Sequence, residues 1–326
     1  MKAAYYEANG AAREVLRVDD VPAPDPGPGE VLVRLATSGV NPSDVKSRAG
    51  SNRKIAFPRV IPHSDGAGTI QRVGPGVAEA RVGERVWVWN GQWKRAFGTA
   101  AEAIVLPSAQ AVTLPASVDF AAGACLGIPA LTAWHGVMGD GPVAGQTILV
   151  SGGAGAVGHY CVQIAKAGGA TVIATVSGPE KAAHAAAGGA DHVINYRTED
   201  VGARVREITG GAGVDRVVEM DITANARLLP GVLAQRGVVS VYGIGGPEAA
   251  LPAPFCLFAA ATIRFFLVYE LTPSERTAAI SGLTRLMGER RLSHAVAATL
   301  PLDRIAEAHE MVEQGRAMGN VVLTLG

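Results

Sequence analysis

Cysteine is scarce in this chain: only Cys125, Cys161 and Cys256 occur among 326 residues. No two are close enough in sequence to form a C-x-x-C ligand pair, and nothing suggests a disulfide framework. That usage fits a reducing compartment, so a cytoplasmic location is expected. Aromatic residues are also few, at 5%. Neither sign of charge dominates. The 29 basic side chains balance 29 acidic ones, and no basic block points to nucleic acid or a membrane surface. Long apolar runs are missing. The longest, residues 255–268, is broken by Arg264 and falls short of the ~20 residues a spanning helix needs. The opening MKAAYYEANG has no apolar core of the kind a secretory signal requires.

What the chain does have is length for about two domains, 48% apolar residues and 41 glycines spread between periodic segments. Its first ~125 residues alternate short β-like runs (31–35 and 85–89) with Gly/Pro turns at 26–29 and 74–76. This rhythm argues for a compact β-rich domain or barrel. Residues 119–138 become helical in composition. From Thr147 onward, strand-like runs at 148–150, 171–176, 192–194, 215–218, 238–242 and 263–268 alternate with helical patterns. That order predicts an α/β, doubly wound parallel sheet of about six strands. Helices over 273–289 and 302–314 and a strand over 320–325 follow. The expected division is a first domain of 1–125, completed by 269–326, around a second domain of 126–268.

One stretch carries specific chemistry. Residues 147–166 read TILVSGGAGAVGHYCVQIAK. A β-branched run ends in Gly153, Gly155 and Gly158, spaced G-x-G-x-x-G, and a helical pattern begins at once. Glycines allow the sharp turn and the close approach of phosphates, and the helix start offers free N–H groups to an anion. The strand before and the helix after raise this above a lone glycine motif. The competing reading is a glycine-rich turn that only packs a helix on a sheet.

With these residues in view, the chain resembles the zinc-free quinone oxidoreductase (zeta-crystallin-like) branch of the medium-chain dehydrogenases/reductases. The resemblance spans nearly the whole chain. It rests on GVNPSD at 39–44, GAG at 66–68, VGERV at 82–86, the glycine loop, INYR at 194–197 and GNVVL at 319–323. The quinone-reductase pattern is nearly matched over 145–166, departing at Ala156 where the family has glycine. The resemblance implies a GroES-like β-barrel domain and a Rossmann domain.

The second strand of the alternating region decides between cofactors. An NAD site usually carries Asp or Glu about 20 residues beyond the loop, bonded to the ribose 2′-OH. Here the strand runs out at Thr175, Val176 and Ser177, and Lys181 follows. A carboxylate would repel a 2′-phosphate, whereas a hydroxyl and a lysine attract one. NADP(H) is therefore expected. By resemblance, Lys181 and Tyr196 match positions that hold the adenosine phosphate. Ser177 and Glu180 also spell a capping box, so Ser177 has a second reading as a helix cap. Lys181 has one as a solvated lysine.

The zinc ligands of related alcohol dehydrogenases would fall at Asn41 and Ser64, neither a credible ligand, so no metal is expected. His63 sits one place off and is read as a surface or turn histidine. Without a Lewis acid, alcohol oxidation is disfavoured and hydride delivery to a quinone or conjugated enone is favoured.

By resemblance, Asn41 lies near the nicotinamide and Thr132 contacts its phosphate or ribose. Asn41 is equally read as an Asx-turn before Pro42, and Thr132 as a helix residue bonded to a carbonyl. Tyr242, Gly243 and Ile244 follow the fifth strand, where open sheets place ligands. Tyr242 is a candidate to flank the nicotinamide or donate a proton, with core packing as its alternative. Asn320 replaces a family lysine. The loop residues Gly153, Gly155, Ala156, Val157 and Gly158 complete the expected cofactor set. Besides quinone or enone reduction, the open functions are enoyl-thioester or alkenal reduction and a non-catalytic NADPH-binding structural or sensing role. A methyltransferase would share the loop but usually keeps the ribose acid. Residues 263–268 would form the sheet's edge strand, which predicts a homodimer through that edge. The alternative is an edge covered by its own chain.

Overall fold

A computed structural model describes residues 1–51, 54–315 and 317–326. The chain divides into two units, Met1–Pro129 with His294–Gly326, and Ala130–Ser293. The chain returns to the first unit at His294 and not at residue 269. Helix Pro273–Gly288, expected with the tail, stays in the second unit. It begins at a capping box of Thr272 and Glu275 and buries Ala279, Leu283 and Leu286 within its own unit.

In the second unit, β-branched runs make six parallel strands. Their order across the sheet is His192–Asn195, Thr171–Val176, Thr147–Val150, Val214–Glu219, Leu233–Val241 and Thr262–Phe265. This is the doubly wound Rossmann arrangement. Parallel strands are covered on both faces, so they read as apolar runs and not as alternations. Ile148, Val150, Val172, Ile173 and Val218 are all fully buried. Each such side chain contributes roughly 1.5–3 kcal/mol on transfer from water. The chain reverses direction across the sheet between Thr147–Val150 and Val214–Glu219. The crevice for ligands opens at the carboxyl ends of these two neighbours.

The last strand lies at the sheet edge but ends at Phe265, short of the expected 268. Phe266 turns inward to stack edge-on against His135, at 4.6 Å between ring centres, and Val268 is buried.

The first unit is built on strand Glu30–Val40. Its inner residues Val31, Val33 and Leu35 are buried. Register shifts at Leu32/Val33 and Leu35/Thr37 bend it, and its two halves take different partners. Residues 30–34 pair with Ala103–Pro107 and residues 37–40 with Asn320–Thr324, while Asp65–Val73 lies along the other side. The C-terminal strand Asn320–Thr324 is thus part of the first unit's sheet. Among the described residues, no helix is long and apolar enough to cross a membrane.

Candidate cofactor and active site

The glycine loop follows strand Thr147–Val150. It is tied to the sheet by Ser151 N–H to the Val218 carbonyl at 3.0 Å and by Gly153 N–H to the Thr175 carbonyl at 3.0 Å. The Thr175 hydroxyl accepts from Gly152 N–H at 3.1 Å. Gly152 has φ of +69°, a conformation that favours glycine. The motif glycines have different duties. A β-carbon on Gly158 would stand 2.1 Å from the Gly152 carbonyl oxygen, and one on Gly153 would stand 2.6 Å from Ala174 Cβ. Both positions therefore require glycine for packing. Gly155 is different: its nearest neighbour to such an atom is the Gly152 oxygen at 3.4 Å, so the space before it is open.

Gly155 is also the N-cap of the twelve-residue helix Ala156–Ala167 and offers no side-chain acceptor. The first-turn N–H groups of Ala156, Val157 and Gly158 are left by the cap to a ligand. An open cradle facing an uncapped helix start fits a dinucleotide pyrophosphate. Ala156 and Val157 are half-buried there, so the methyl that departs from the family pattern sits at the helix start and not in the tight turn.

Two of the expected adenosine-end residues lie at neighbouring strand ends. Tyr196 N–H donates to the Val176 carbonyl at 3.1 Å, which brings Tyr196 beside Ser177 at the ends of neighbouring strands. Lys181 lies in the first turn of helix Pro179–Ala187 and is half-buried. Tyr196 is 53% exposed, so its ring is available to a ligand. The capping-box reading of Ser177 is overturned. Gly178 is the N-cap, with no side-chain cap bond and Pro179 in the first turn. Pro179 lacks an N–H, so the first turn has less need of a cap, and the Ser177 hydroxyl is spared that role.

At the carboxyl end of the fifth strand, Tyr242 N–H bonds to the Glu219 carbonyl at 3.0 Å. Gly243 lies so close to the neighbouring strand end that a β-carbon would meet the Met220 carbonyl at 1.9 Å, and Ile244 is exposed. Burial, with the Cys161 thiol and Glu219 nearby, pushes the Tyr242 phenol well above its ordinary range. Its ring centre is 6.4 Å from that of Phe266. Thr132 is buried in helix Leu131–Met138.

The sequence reading missed Glu219. It ends the fourth strand, buried, and accepts from Asn225 Nδ2 at 2.9 Å and Asp221 N–H at 2.5 Å. The same Asn225 amide reaches Ser151 Oγ at 3.2 Å. Burial raises the Glu219 carboxyl, against these hydrogen bonds. The signal was a lone acid closing an apolar strand beside the switch point.

In the first unit, Asn41 caps helix Pro42–Ala49, and Asp44 accepts from its N–H at 2.8 Å. Asn41 is thus the N-cap of a capping box with Asp44, and its side chain does more: Asn41 Nδ2 donates to the buried Asp65 Oδ2 at 2.8 Å. Burial pushes the Asp65 carboxyl well above its usual range, opposed by the Asn41 amide and the Ile128 N–H and assisted by Asp44. Asp65 was not anticipated. Val321 pairs with Val40, the last residue of its strand, so Asn320 and Asn41 each lie one residue beyond that pair. Asn320 spends its amide on the Ala295 carbonyl at 3.0 Å.

His63 is a correction. Its backbone is left-handed, with φ of +76°, as turn residues often are, but it is fully buried and not at the surface. Its Nδ1 meets Ser38 Oγ at 2.9 Å and its Nε2 meets His309 Nε2 at 2.9 Å. Ser38 continues to Thr99 Oγ1 at 2.8 Å. Burial lowers His63 to about 3, and burial, His63 and Arg48 lower His309 well below the ordinary value. Ser64 is buried, and its hydroxyl accepts from Gln92 N–H at 3.4 Å. Among the described residues, no group of three or more His, Cys, Asp or Glu side chains gathers as a metal site would require.

Comparison with known proteins agrees with this architecture. Residues 27–116 match the alcohol dehydrogenase GroES-like domain and 156–285 the zinc-binding dehydrogenase family. A quinone oxidoreductase of Lama guanicoe is 31% identical, over 96% of this chain and 94% of its own. A 2-haloacrylate reductase of Burkholderia sp is 31% identical, over 94% of this chain and 93% of its own. Among solved structures, an NAD-dependent alcohol dehydrogenase superposes with a TM-score of 0.90 at 32% identity, covering 100% of both chains. A mycobacterial protein solved with NADPH superposes at 0.86 and 31% identity, over 99% of this chain and 100% of its own. With a Rossmann unit, a GroES-like unit and relatives matched along nearly its full length, this chain belongs to the quinone oxidoreductase family of the medium-chain dehydrogenase/reductase superfamily.

Proposed function

We propose that the protein is an NADPH-dependent reductase of the zinc-independent, zeta-crystallin-like branch, acting on a quinone or conjugated enone. The observation that carries this reading is the acid-free adenosine end. Strand Thr171–Val176 runs into Ser177 without the carboxylate an NAD site would hold there; Tyr196 lies beside that strand end, and Lys181 sits in the first turn of the next helix. The likeness to a mycobacterial protein solved with NADPH supports it.

When bound, the nicotinamide supplies a hydride, which reduces the acceptor as a proton enters from solvent. The chain's own residues supply position. The Gly153–Gly158 loop cradles the pyrophosphate through backbone N–H groups, and Lys181 and Ser177 hold the 2′-phosphate. Gly243, Ile244 and the Tyr242 ring flank the nicotinamide, and Thr132 holds its ribose or phosphate. Asn41, oriented by Asp65, keeps a second Nδ2 hydrogen for a substrate or cofactor oxygen. Asn320, on the strand that pairs with 37–40, is held by the Ala295 carbonyl. We assign Tyr242 to the wall, since burial holds its phenol above the ordinary range and makes it a weaker acid than a free one. Asn41 and Ser64, where related enzymes have zinc ligands, are the reason to expect hydride transfer without a metal.

NADPH absorbance followed with quinones, alkenals and enoyl thioesters tests the proposal. We expect consumption with quinones or enones that survives extensive dialysis against a chelator. Binding of NADPH without consumption across the panel would replace the reductase with a structural or sensing role. Loss of activity on chelation would remove the metal-free mechanism. A second reading, reduction of an alkene conjugated to a carbonyl group, is favoured by the 2-haloacrylate reductase likeness.

A homodimer through the sheet edge belongs to the same proposal. Phe265 on the edge strand is 58% exposed, and Leu257 and Phe258 on helix Ala253–Phe258 are 76% and 81% exposed. Exposed apolar edges favour association. Charges belong at Phe265 and Leu257, since Val268 is core and Phe266 packs on His135. Sedimentation of Phe265→Glu should show monomers; an unchanged profile would remove the edge from the interface. The three cysteines are free, in keeping with a cytoplasmic setting.

A further inference from the structure

Beyond Tyr242 the chain reads Gly243-Ile244-Gly245-Gly246. Three glycines in four residues make a segment with much conformational freedom to lose and few side chains to anchor it. The anchors come from the turn that follows the neighbouring strand Val214–Glu219. Asp221 Oδ1 accepts from Gly245 N–H at 2.9 Å, and the Thr223 hydroxyl accepts from Gly245 N–H and Gly246 N–H, both at 3.2 Å. Ile222 N–H reaches the Gly243 carbonyl at 3.4 Å. The Asp221 carboxylate is itself aimed, since the same oxygen accepts from Ala224 N–H at 3.3 Å.

The glycines permit this grip. A β-carbon on Gly245 would stand 2.5 Å from Asp221 Oδ2, and one on Gly246 would stand 3.1 Å from Thr223 Cγ2. Close approach of the anchoring side chains is thus what leaves no room at Gly245 and little at Gly246.

The same turn also meets the glycine loop. A β-carbon on Gly152 would be 2.4 Å from Met220 Sδ. Glu219 accepts from Asn225 Nδ2, and that amide reaches Ser151 Oγ. The side chains of 219–225 therefore divide: Glu219, Met220 and Asn225 serve the start of the glycine loop, and Asp221 and Thr223 serve 243–246.

We propose that Asp221 and Thr223 are positioning residues for hydride transfer, fixing through Gly245 and Gly246 the segment that walls the nicotinamide. This rests on the reductase reading, in which Gly243 and Ile244 flank that ring. A wall made mainly of glycine orients the ring only while it is itself held, and hydride transfer depends steeply on the distance and angle of the reacting atoms.

The test compares binding, fluorescence and turnover in Asp221→Ala and Thr223→Val. The fragment 2′,5′-ADP fills only the adenosine end, so its affinity and that of NADPH should stay within about threefold of the unmodified protein. Bound NADPH should show a shorter fluorescence lifetime and lower anisotropy, because its nicotinamide is less confined. With a quinone acceptor, kcat should fall about tenfold with KM little changed, and the isotope effect from NADPH deuterated at the transferred position should grow. Thr223→Ser and Asp221→Asn keep an acceptor oxygen in place and should recover most of the loss. Unchanged kcat and fluorescence would overturn the clamp. So would equal weakening of 2′,5′-ADP and NADPH, which marks damage to the whole site. If the unmodified protein binds NADPH but reduces nothing, the reductase reading falls and the fluorescence alone decides the clamp.

Discussion

The two units hold their polar chemistry in opposite ways. In the second, the polar groups proposed to bind are backbone N–H groups of one short loop, exposed by glycines and aimed by a helix start. In the first, the polar side chains come from distant segments and are buried together: Ser38, His63, Thr99 and His309 in one chain of contacts, Asn41 and Asp65 in another. A backbone cradle tolerates no added atoms but is indifferent to protonation. A buried side-chain network accepts its geometry only while its members stay neutral or paired. The units should therefore fail under different insults.

The largest effect should come from distorting the tight turn that shapes the cradle. Gly158→Val places carbon against the Gly152 carbonyl, where even a β-carbon would be at 2.1 Å. NADPH affinity should fall by more than about 100-fold, a loss of roughly 3 kcal/mol. Titration of intrinsic fluorescence would measure it, and near-normal affinity would refute the division of labour among the glycines.

Acid should strike the first unit instead. His63 and His309 are held neutral when folded, with His63 lowered to about 3. Unfolded histidines bind protons below about 6.5, so the unfolded state gains protons first as pH falls. The stability tied to the neutral pair is complete above pH ~6.5 and declines as pH drops toward 3. For His63 the loss by pH 5 is about 2 kcal/mol, and His309 adds to it in the same direction. The facing charges are Arg48, which also lowers His309, and Glu313, which pairs with Arg48 at 3.1 Å. Denaturant melts from pH 7 to pH 5 should show this slope, and His309→Phe should reduce it. A flat profile would break the contrast between units.

A smaller, selective change is expected at Lys181. Lys181→Ala should weaken NADPH about tenfold, near 1.4 kcal/mol, and leave NADH within about twofold. Calorimetry with both cofactors decides it; equal losses would remove the 2′-phosphate from this lysine. Smallest of all, Tyr242→Phe should change turnover by no more than about threefold, since the raised phenol is a poor donor. A hundredfold loss would return Tyr242 to the chemistry.

This contrast also explains what was legible from the amino-acid order. Strand, glycine loop and helix occupy 147–166, so local spacing exposed both the fold of the second unit and the loop proposed as its phosphate cradle. The missing acid after Thr175 was equally local. Asp65 and His63 needed partners 24 and 246 residues away, which no periodicity reports. His63 looked like a turn histidine because its turn is visible in sequence and its burial is not. The return at His294 was misplaced because the amphipathic pattern of Pro273–Gly288 shows that a face is buried without showing against which unit. Ser177 was misread as a cap because Pro179 shifted the helix start past it.

The account stands most directly on cofactor choice. Binding of NADPH and NADH to the unmodified protein, each titrated by calorimetry at the same salt, tests it. The acid-free site of Ser177, Lys181 and Tyr196 predicts NADPH tighter by at least about tenfold. NADH binding as tightly as NADPH, or more tightly, would contradict it.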